Sequence, residues 1–281
     1  MISGSLLIDK EVGLTSRQEV NNVSRLLKEK KAGHIGTLDP FADGLLIVLL
    51  GKATKISQFL EGMDKTYLAT LSLGSKTDTG DNTGNIVSKM DVPILNKNRI
   101  EEVFKSFLGI QKQVPPMYSA IKINGKELYK YAREGVEIAR HEREINIYEL
   151  KLLNFSENEI TFISKVSKGT YIRTLAEDIA ERLGSVGHLS KLTRLQIGPY
   201  SLDNAKKSSE VSEKDLIQSD KMLSYMKQIK IDDSSKNKVY NGAAIHLDID
   251  DEMVLLKDDV EPIAVYKKDG KGSYICVRGL R

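Results

Sequence analysis

Six consecutive apolar residues, Leu45-Leu46-Ile47-Val48-Leu49-Leu50, stand between Gly44 and Gly51. A run this long is either a buried strand or a piece of buried helix, and its length favours the strand. It is the longest apolar run in the chain and falls far short of the roughly 20 residues that a membrane-crossing helix needs. The chain therefore reads as a globular protein with one strand set deep in its core.

The surrounding pattern fills in the rest of the architecture. Ser5–Asp9 reads as a short strand. Ser16 resembles an N-cap for a helix with a stripe of Val20, Val23, Leu26 and Leu27, which Gly33 closes. A loop then carries His34 to Gly44. Tyr67–Leu73 alternates as a strand should, and Lys76–Gly84, rich in Thr, Asp, Asn and Gly, reads as a loop. Ile100, Val103, Phe104 and Phe107 mark a helix ended by Gly109. Ile145–Leu153 and Ile160–Val166 predict a hairpin. Ile172, Leu175, Ile179 and Leu183 predict a helix stopped by Gly184.

Length and texture set the domain plan. At about 100–200 residues per domain, 281 residues suit one large domain or one domain with a small appendage. Past Ala205 the sequence turns rich in Ser, Lys, Glu and Asp, and then shows three short strand patterns at Met253–Leu256, Ile263–Tyr266 and Tyr274–Val277. The expected plan is a large domain over 1–205, a linker over 206–235 and a small β-rich domain over 236–281. The expected fold class is α/β, mixed, with a largely antiparallel sheet and flanking helices.

Composition removes several function classes. One cysteine, Cys276, allows no internal disulfide and fits a reducing compartment. With four dispersed histidines it offers no zinc cluster, so no metal is expected. The first residues lack the basic and apolar regions of a secretory signal, and the expected location is cytoplasmic. Forty-two basic against 39 acidic residues give a net charge of +3, so any nucleic-acid surface must come from the placement of charge.

Two segments carry chemistry. In His34-Ile35-Gly36-Thr37-Leu38-Asp39-Pro40-Phe41-Ala42-Asp43-Gly44, Asp39-Pro40 starts a turn, and the flanking glycines permit unusual dihedrals. Taken alone, Asp39 is a turn residue or a carboxylate held on a tight loop. In Ser167-Lys168-Gly169-Thr170-Tyr171-Ile172-Arg173, a glycine precedes a helix start, a setting that suits anions. Tyr171 and Arg173 there are a recognition pair or a buried tyrosine beside a surface arginine. A third segment, Glu127–Glu134, reads as helical, with Lys126, Lys130 and Arg133 at i, i+4 and i+7 on one face. Interleaving with Tyr129 and Tyr131 suits an RNA backbone with stacked bases, though a plain solvated face fits as well.

Together these segments resemble the TruB family of tRNA pseudouridine synthases. The matching stretches are Gly33–Pro40, Gly51–Thr54, Lys65–Tyr67, Leu73-Gly74 with Thr77–Thr79, Pro116–Lys122, Gly125–Ile147 and Gly169–Arg173, in order over about Leu6 to Gly198. One departure is Lys10-Glu11, where the family has Lys-Pro. The C-terminal part resembles the family's small PUA-like RNA-binding appendage and carries acidic clusters at Asp248–Glu252 and Asp258–Glu261.

The resemblance implies a pseudouridine synthase fold, with a thumb-like RNA-binding insertion at about 122–147 and a cleft across the sheet with Asp39 at its floor. It implies isomerisation of uridine 55 in the tRNA T-loop, without a cofactor. Asp39 would be the catalytic carboxylate, acting as a nucleophile at C1′ or as a base toward the sugar. Arg173 would keep it ionised, and Tyr67 would stack on the flipped base. His34 would fill the vacated loop, Tyr171 would pack beside the site, and Leu192 would line the pocket. Lys10, Lys126, Lys130 and Arg133 would grip phosphates. The expected partner is the tRNA T-loop and T-stem, with a monomeric enzyme, no obligate protein partner and no membrane.

Rival readings fit less well. A phosphate loop needs a glycine five residues before Gly51-Lys52, and position 46 is Leu46. A glycoside hydrolase needs two carboxylates across one pocket. A non-catalytic RNA binder need not keep Asp39, Tyr67 and Arg173 together, and a guide-RNA-dependent relative has less use for its own thumb.

Overall fold

The computed structural model describes residues 2–281. Its first elements are β1 (Gly4–Lys10), α1 (Ser16–Leu26), β2 (Ala32–Ile35), β3 (Asp43–Leu50), a 3-10 segment (Gly51–Ile56) running into α2 (Ser57–Glu61), and β4 (Lys65–Leu73). There follow β5 (Ser75–Thr77), β6 (Ile86–Lys89), α3 (Lys97–Phe107), β7 (Gly109–Gln113), β8 (Lys122–Ile123), β9 (Lys126–Glu127) and α4 (Leu128–Arg133). Then come β10 (Arg143–Phe155), β11 (Glu159–Val166), α5 (Ile172–Leu183), β12 (Gly187–Ile197) and β13 (Tyr200–Ser201). The chain ends with α6 (Ser219–Met222), β14 (Lys227–Lys230), α7 (Asp233–Tyr240), β15 (Met253–Lys257), β16 (Pro262–Lys268) and β17 (Tyr274–Gly279).

The main sheet runs β1-β3-β12-β4-β11-β10-β7, with β2 beside β3 and β13 beside β12. Its pairings are antiparallel except β3 with β12, which is parallel and short, through Thr193 opposite Asp43 and Arg194 opposite Gly44. The sheet is thus mixed and largely antiparallel, as expected.

The apolar run is strand β3, and its lack of alternation has a packing cause. Leu46, Val48 and Leu50 face a core with Leu6, Ile8, Val20 and Val23 under α1. Leu45, Ile47 and Leu49 face a second core with Ile56, Leu60, Leu255 and Val265. A strand covered on both faces has no side on which a polar residue is favoured. Strand β4 shows the opposite case, for its burial alternates without a break. Lys65, Tyr67, Ala69, Leu71 and Leu73 share one face, where the last four meet α3 and α5 in the third core.

Several local readings need correction. The N-cap of α1 is Thr15, not Ser16: Thr15 Oγ1 accepts from the Gln18 amide at 3.2 Å, and Gln18 Oε1 accepts from the Thr15 amide at 2.8 Å. Leu26 is exposed. Gly33 does not close the helix but lies in β2, so His34 is a strand residue and the loop proper spans 36–42. Lys126 lies in β9, ahead of the short helix α4, and shares no helical face with Lys130 and Arg133.

The 206–235 stretch is folded rather than a loose connector. The Lys206 amide donates to Leu7 O, and the Ser5 and Ile217 amides donate to each other's carbonyls at 2.8 Å. Met222, Leu223 and Met226 are buried in the core beneath β3, and β14 already belongs to the C-terminal sheet. That sheet, ordered β14-β15-β16-β17, packs Leu255 and Val265 onto the same core, so the small β-rich part is docked against the back of β3. Among the described residues no helix is long and apolar enough to cross a membrane.

Candidate active site

The loop between β2 and β3 carries Asp39 into the lining of a cleft of about 700 Å³. Its shape is set from three sides. Ser16, the residue misread as a cap, turns its buried hydroxyl to Leu38, accepting from the amide at 2.9 Å and donating to the carbonyl at 3.1 Å. The Ala42 amide closes the turn on Asp39 O at 3.1 Å. Gly44 leaves the loop at φ +101°, where a Cβ would lie 2.5 Å from Arg194 O, so no other residue fits.

Arg173 lies in the first turn of α5. The helix start is fixed by Gln113, whose amide group accepts from the Tyr171 N–H at 2.8 Å and donates to Tyr171 O at 3.1 Å. The Arg173 guanidinium forks onto Asp39, Nε to Oδ2 at 2.8 Å and Nη2 to Oδ1 at 3.2 Å. Its other donors reach Thr79 O at 2.6 Å and Tyr118 O at 2.8 Å. Asp81 stands 3.9 Å behind it, held by the Thr79 and Thr83 hydroxyls and the Thr83 amide. Four of the five guanidinium donors are thus engaged at hydrogen-bond distance in a buried setting, which fixes its orientation.

This arrangement defines the electrostatics. Burial pushes the Asp39 carboxyl above the ordinary carboxylate range, with Arg173 pulling it back down and Asp81 adding to the rise. The Asp39 side chain remains about a third exposed (33%), because one side faces the open cleft. His34, on β2, also lines the cleft. Burial, then the charges of Arg17 and Arg194, lower its pKa to about 4, so the ring is neutral at physiological pH. Its Nδ1 is buried without a hydrogen-bond partner among the described residues.

The cleft brings together Asp39, Arg173, Tyr67, Tyr171, His34 and Leu192 from four separate stretches of the chain. Tyr67 and Leu192 are nearly buried on neighbouring strands β4 and β12. Four of the expected residues lie elsewhere. Lys10 is fully buried, its ammonium donating to Glu11 O at 2.9 Å and Leu14 O at 2.6 Å, so it is not displayed to a phosphate. Burial lowers its pKa to about 8. Lys126 and Lys130 are spent on Glu134 at 2.5 Å and Glu127 at 2.8 Å, and Arg133 lies over the Tyr129 ring. They stand on the hairpin and helix beyond Ser119–Ile121, through which that insertion reaches the cleft.

Sequence reasoning missed Lys65, Asp81 and Arg194. Lys65 shares the cleft face of β4 with Tyr67 and donates to Glu61 O and Met63 O. The alternation of β4 held that signal, two residues before Tyr67. Asp81 and Arg194 show no local pattern of their own.

A family model described as TruB family pseudouridylate synthase (N-terminal domain) matches residues 24–172. The tRNA pseudouridine synthase B of Hydrogenovibrio crunogenus is 47% identical over 247 residues, covering 87% of this chain and 82% of that one. That of Geobacillus thermodenitrificans is 41% identical and covers 95% of each chain. Among solved structures, one of a Cbf5–Nop10–Gar1 complex aligns with a TM-score of 0.70 at 28% identity, over 94% of this chain and 78% of that one. An H/ACA ribonucleoprotein bound to a substrate RNA shares the fold, with a TM-score of 0.72 at 22% identity over 99% of this chain and 85% of that one. The mixed sheet and the docked β-rich, PUA-like C-terminal part are those of a pseudouridine synthase, and the chain belongs to the TruB family.

Proposed function

We propose that this enzyme isomerises uridine 55 in the T-loop of tRNA, with Asp39 as the catalytic carboxylate. The observation that carries the proposal is the forked Arg173–Asp39 contact in the lining of a cleft large enough for a nucleoside. The names of the relatives, tRNA pseudouridine synthase B, support tRNA as the substrate.

The chemistry follows from the groups at hand. A uridine stacked in a folded loop is out of reach, so it must swing into the cleft, at a cost of a few kcal/mol. Tyr67 and Leu192 supply faces for the base, and stacking on an aromatic ring contributes about 1–3 kcal/mol. The neutral His34 ring, at the cleft wall, replaces contacts that the base leaves behind. The C1′–N1 bond then breaks, the uracil turns, and C5 bonds to C1′. C5 gives up its proton and N1 gains one, so the product is an isomer and no redox step occurs.

Asp39 acts as an ionised group in either route, by attack on C1′ or by taking a proton from the sugar. Burial alone works against ionisation, and the Arg173 fork works for it. The enzyme acts in the cytoplasm as a monomer. Its insertion over 122–147, with Arg143 at the cleft wall, gives it a grip on RNA of its own.

The test is tritium release from tRNA transcripts labelled at uridine C5, with wild type and Asp39→Asn, in buffer containing EDTA. Release by wild type only, with the product mapped to position 55, is the expected result. No release by wild type that still binds tRNA tightly would overturn the assignment of substrate.

A further inference from the structure

We propose that Arg194 is a positioning residue that clamps both ends of the catalytic loop and so sets where the Asp39 carboxylate stands. The inference rests on the reading of Asp39 as the catalytic group.

Arg194 is among the largest fully buried side chains, 1% exposed, in the middle of the main sheet on β12. Among the described residues its guanidinium meets carbonyl oxygens and no carboxylate at hydrogen-bond distance: Nη2 donates to Gly36 O at 3.0 Å, and Nε donates to Leu45 O at 2.7 Å. Gly36 is where the loop begins, and Leu45 is where β3 has taken over. The same residue's backbone fixes the exit, since Gly44 approaches Arg194 too closely to carry any side chain. Asp39 lies between these fixed points, and Ser16 holds Leu38 beside it.

A buried cation without an acid partner is costly, and apolar replacements of buried charges are often neutral or stabilising. A leucine at this position could fill space in the sheet but could not hold two carbonyls on opposite ends of a loop. The charge also reaches the cleft. After burial, Arg194 is among the causes that lower the pKa of His34 and of Lys65. Because catalysis is steep in the position of the reacting group, with roughly 10²-fold loss for a displacement of about 1 Å, a loosened loop should cost turnover rather than affinity.

The experiment compares R194K, R194Q and D39N by the C5-tritium assay with intact tRNA. R194K is expected to fold, because this chain already seats two ammonium groups, Lys10 and Lys65, on pairs of carbonyls. The clamp predicts kcat lowered roughly 10²-fold in R194Q and roughly tenfold in R194K, with KM within about twofold of wild type. In wild-type protein it also predicts Leu38 and Ala42 amides as protected from hydrogen exchange as those of β3, a measurement that needs no variant to fold. Wild-type kcat in either folded variant while D39N is inactive would overturn the clamp. So would a rise in KM at unchanged kcat, or wild-type loop amides that exchange like those of an open loop. Full activity in D39N would instead overturn the assignment of Asp39.

Discussion

Replacing Arg173 by lysine keeps the positive charge and removes the fork. The guanidinium makes four contacts from three nitrogens: two to Asp39 and one each to Thr79 O and Tyr118 O. A lysine ammonium is one atom with three donors on a flexible stem, and it cannot span a carboxylate edge and two separate carbonyls. At least one charge-assisted bond to Asp39 is lost, worth about 1.5–3 kcal/mol. Weaker pairing also lets burial raise the Asp39 pKa further, so a smaller fraction is ionised near neutral pH. Taking about 3–4 kcal/mol for the two effects together gives a roughly 10²–10³-fold lower rate, at 1.36 kcal/mol per decade.

The assay is single-turnover tritium release from C5-labelled tRNA between pH 5.5 and 9, with tRNA affinity measured by filter binding. Asp39 must lose its proton to act, so activity rises with pH through its pKa. The variant's acid limb should therefore move to higher pH, and raising the pH should recover part of the lost rate. Affinity should change little, because Arg173 is buried behind Asp39. A near-wild-type rate in a folded variant would refute the reasoning. So would a large loss with an unmoved acid limb, since that pattern means the fork does not act through the ionisation of Asp39.

Three further outcomes can be checked independently. The His34 ring should titrate near pH 4 by NMR; because its folded pKa lies below the ordinary 6.5, its contribution to stability is present above 6.5 and lost as pH falls toward 4, and a midpoint near 6.5 would contradict its buried placement. Burial, with Glu177 and Glu181 nearby, raises Asp178 to about 6, so Asp178→Asn should add about 1 kcal/mol above pH 6 after allowance for solvent screening and nothing below pH 4; thermal melts that show equal gains at both ends would exclude this cause. Glu134→Gln frees Lys126 from a surface ion pair, so it should leave stability within about 1 kcal/mol, tighten tRNA binding and steepen the salt dependence of binding by roughly one counterion; an unchanged slope means Lys126 does not reach the RNA.

What the sequence displayed, and what it hid, follows from how each residue is covered. Strand β3 was legible because both its faces are buried, and helix α5 because a single apolar stripe meets the sheet and Gly184 stops it in the left-handed conformation. Strand β12, in the centre of the sheet, gave no readable period. Bulges between Leu189 and Lys191 and between Arg194 and Gln196 put its buried residues at Gly187, Leu189, Leu192, Arg194 and Ile197. That spacing alternates between two and three, which belongs neither to a strand nor to a helix. The pairing of Asp39 with Arg173 is likewise invisible locally, since it depends on β3, β4, β11 and α5 being assembled first, and only the family resemblance linked the two residues. Lys10 is different, because its burial had a local signal. It follows Leu6 and Ile8 at intervals of two, and those side chains pack under α1. The strand's own period places Lys10 on that inward face, opposite Gly44, where the ammonium has carbonyls to satisfy it. The phosphate-gripping role came from the family resemblance, and the strand period, which puts Lys10 in line with Leu6 and Ile8, already pointed the other way.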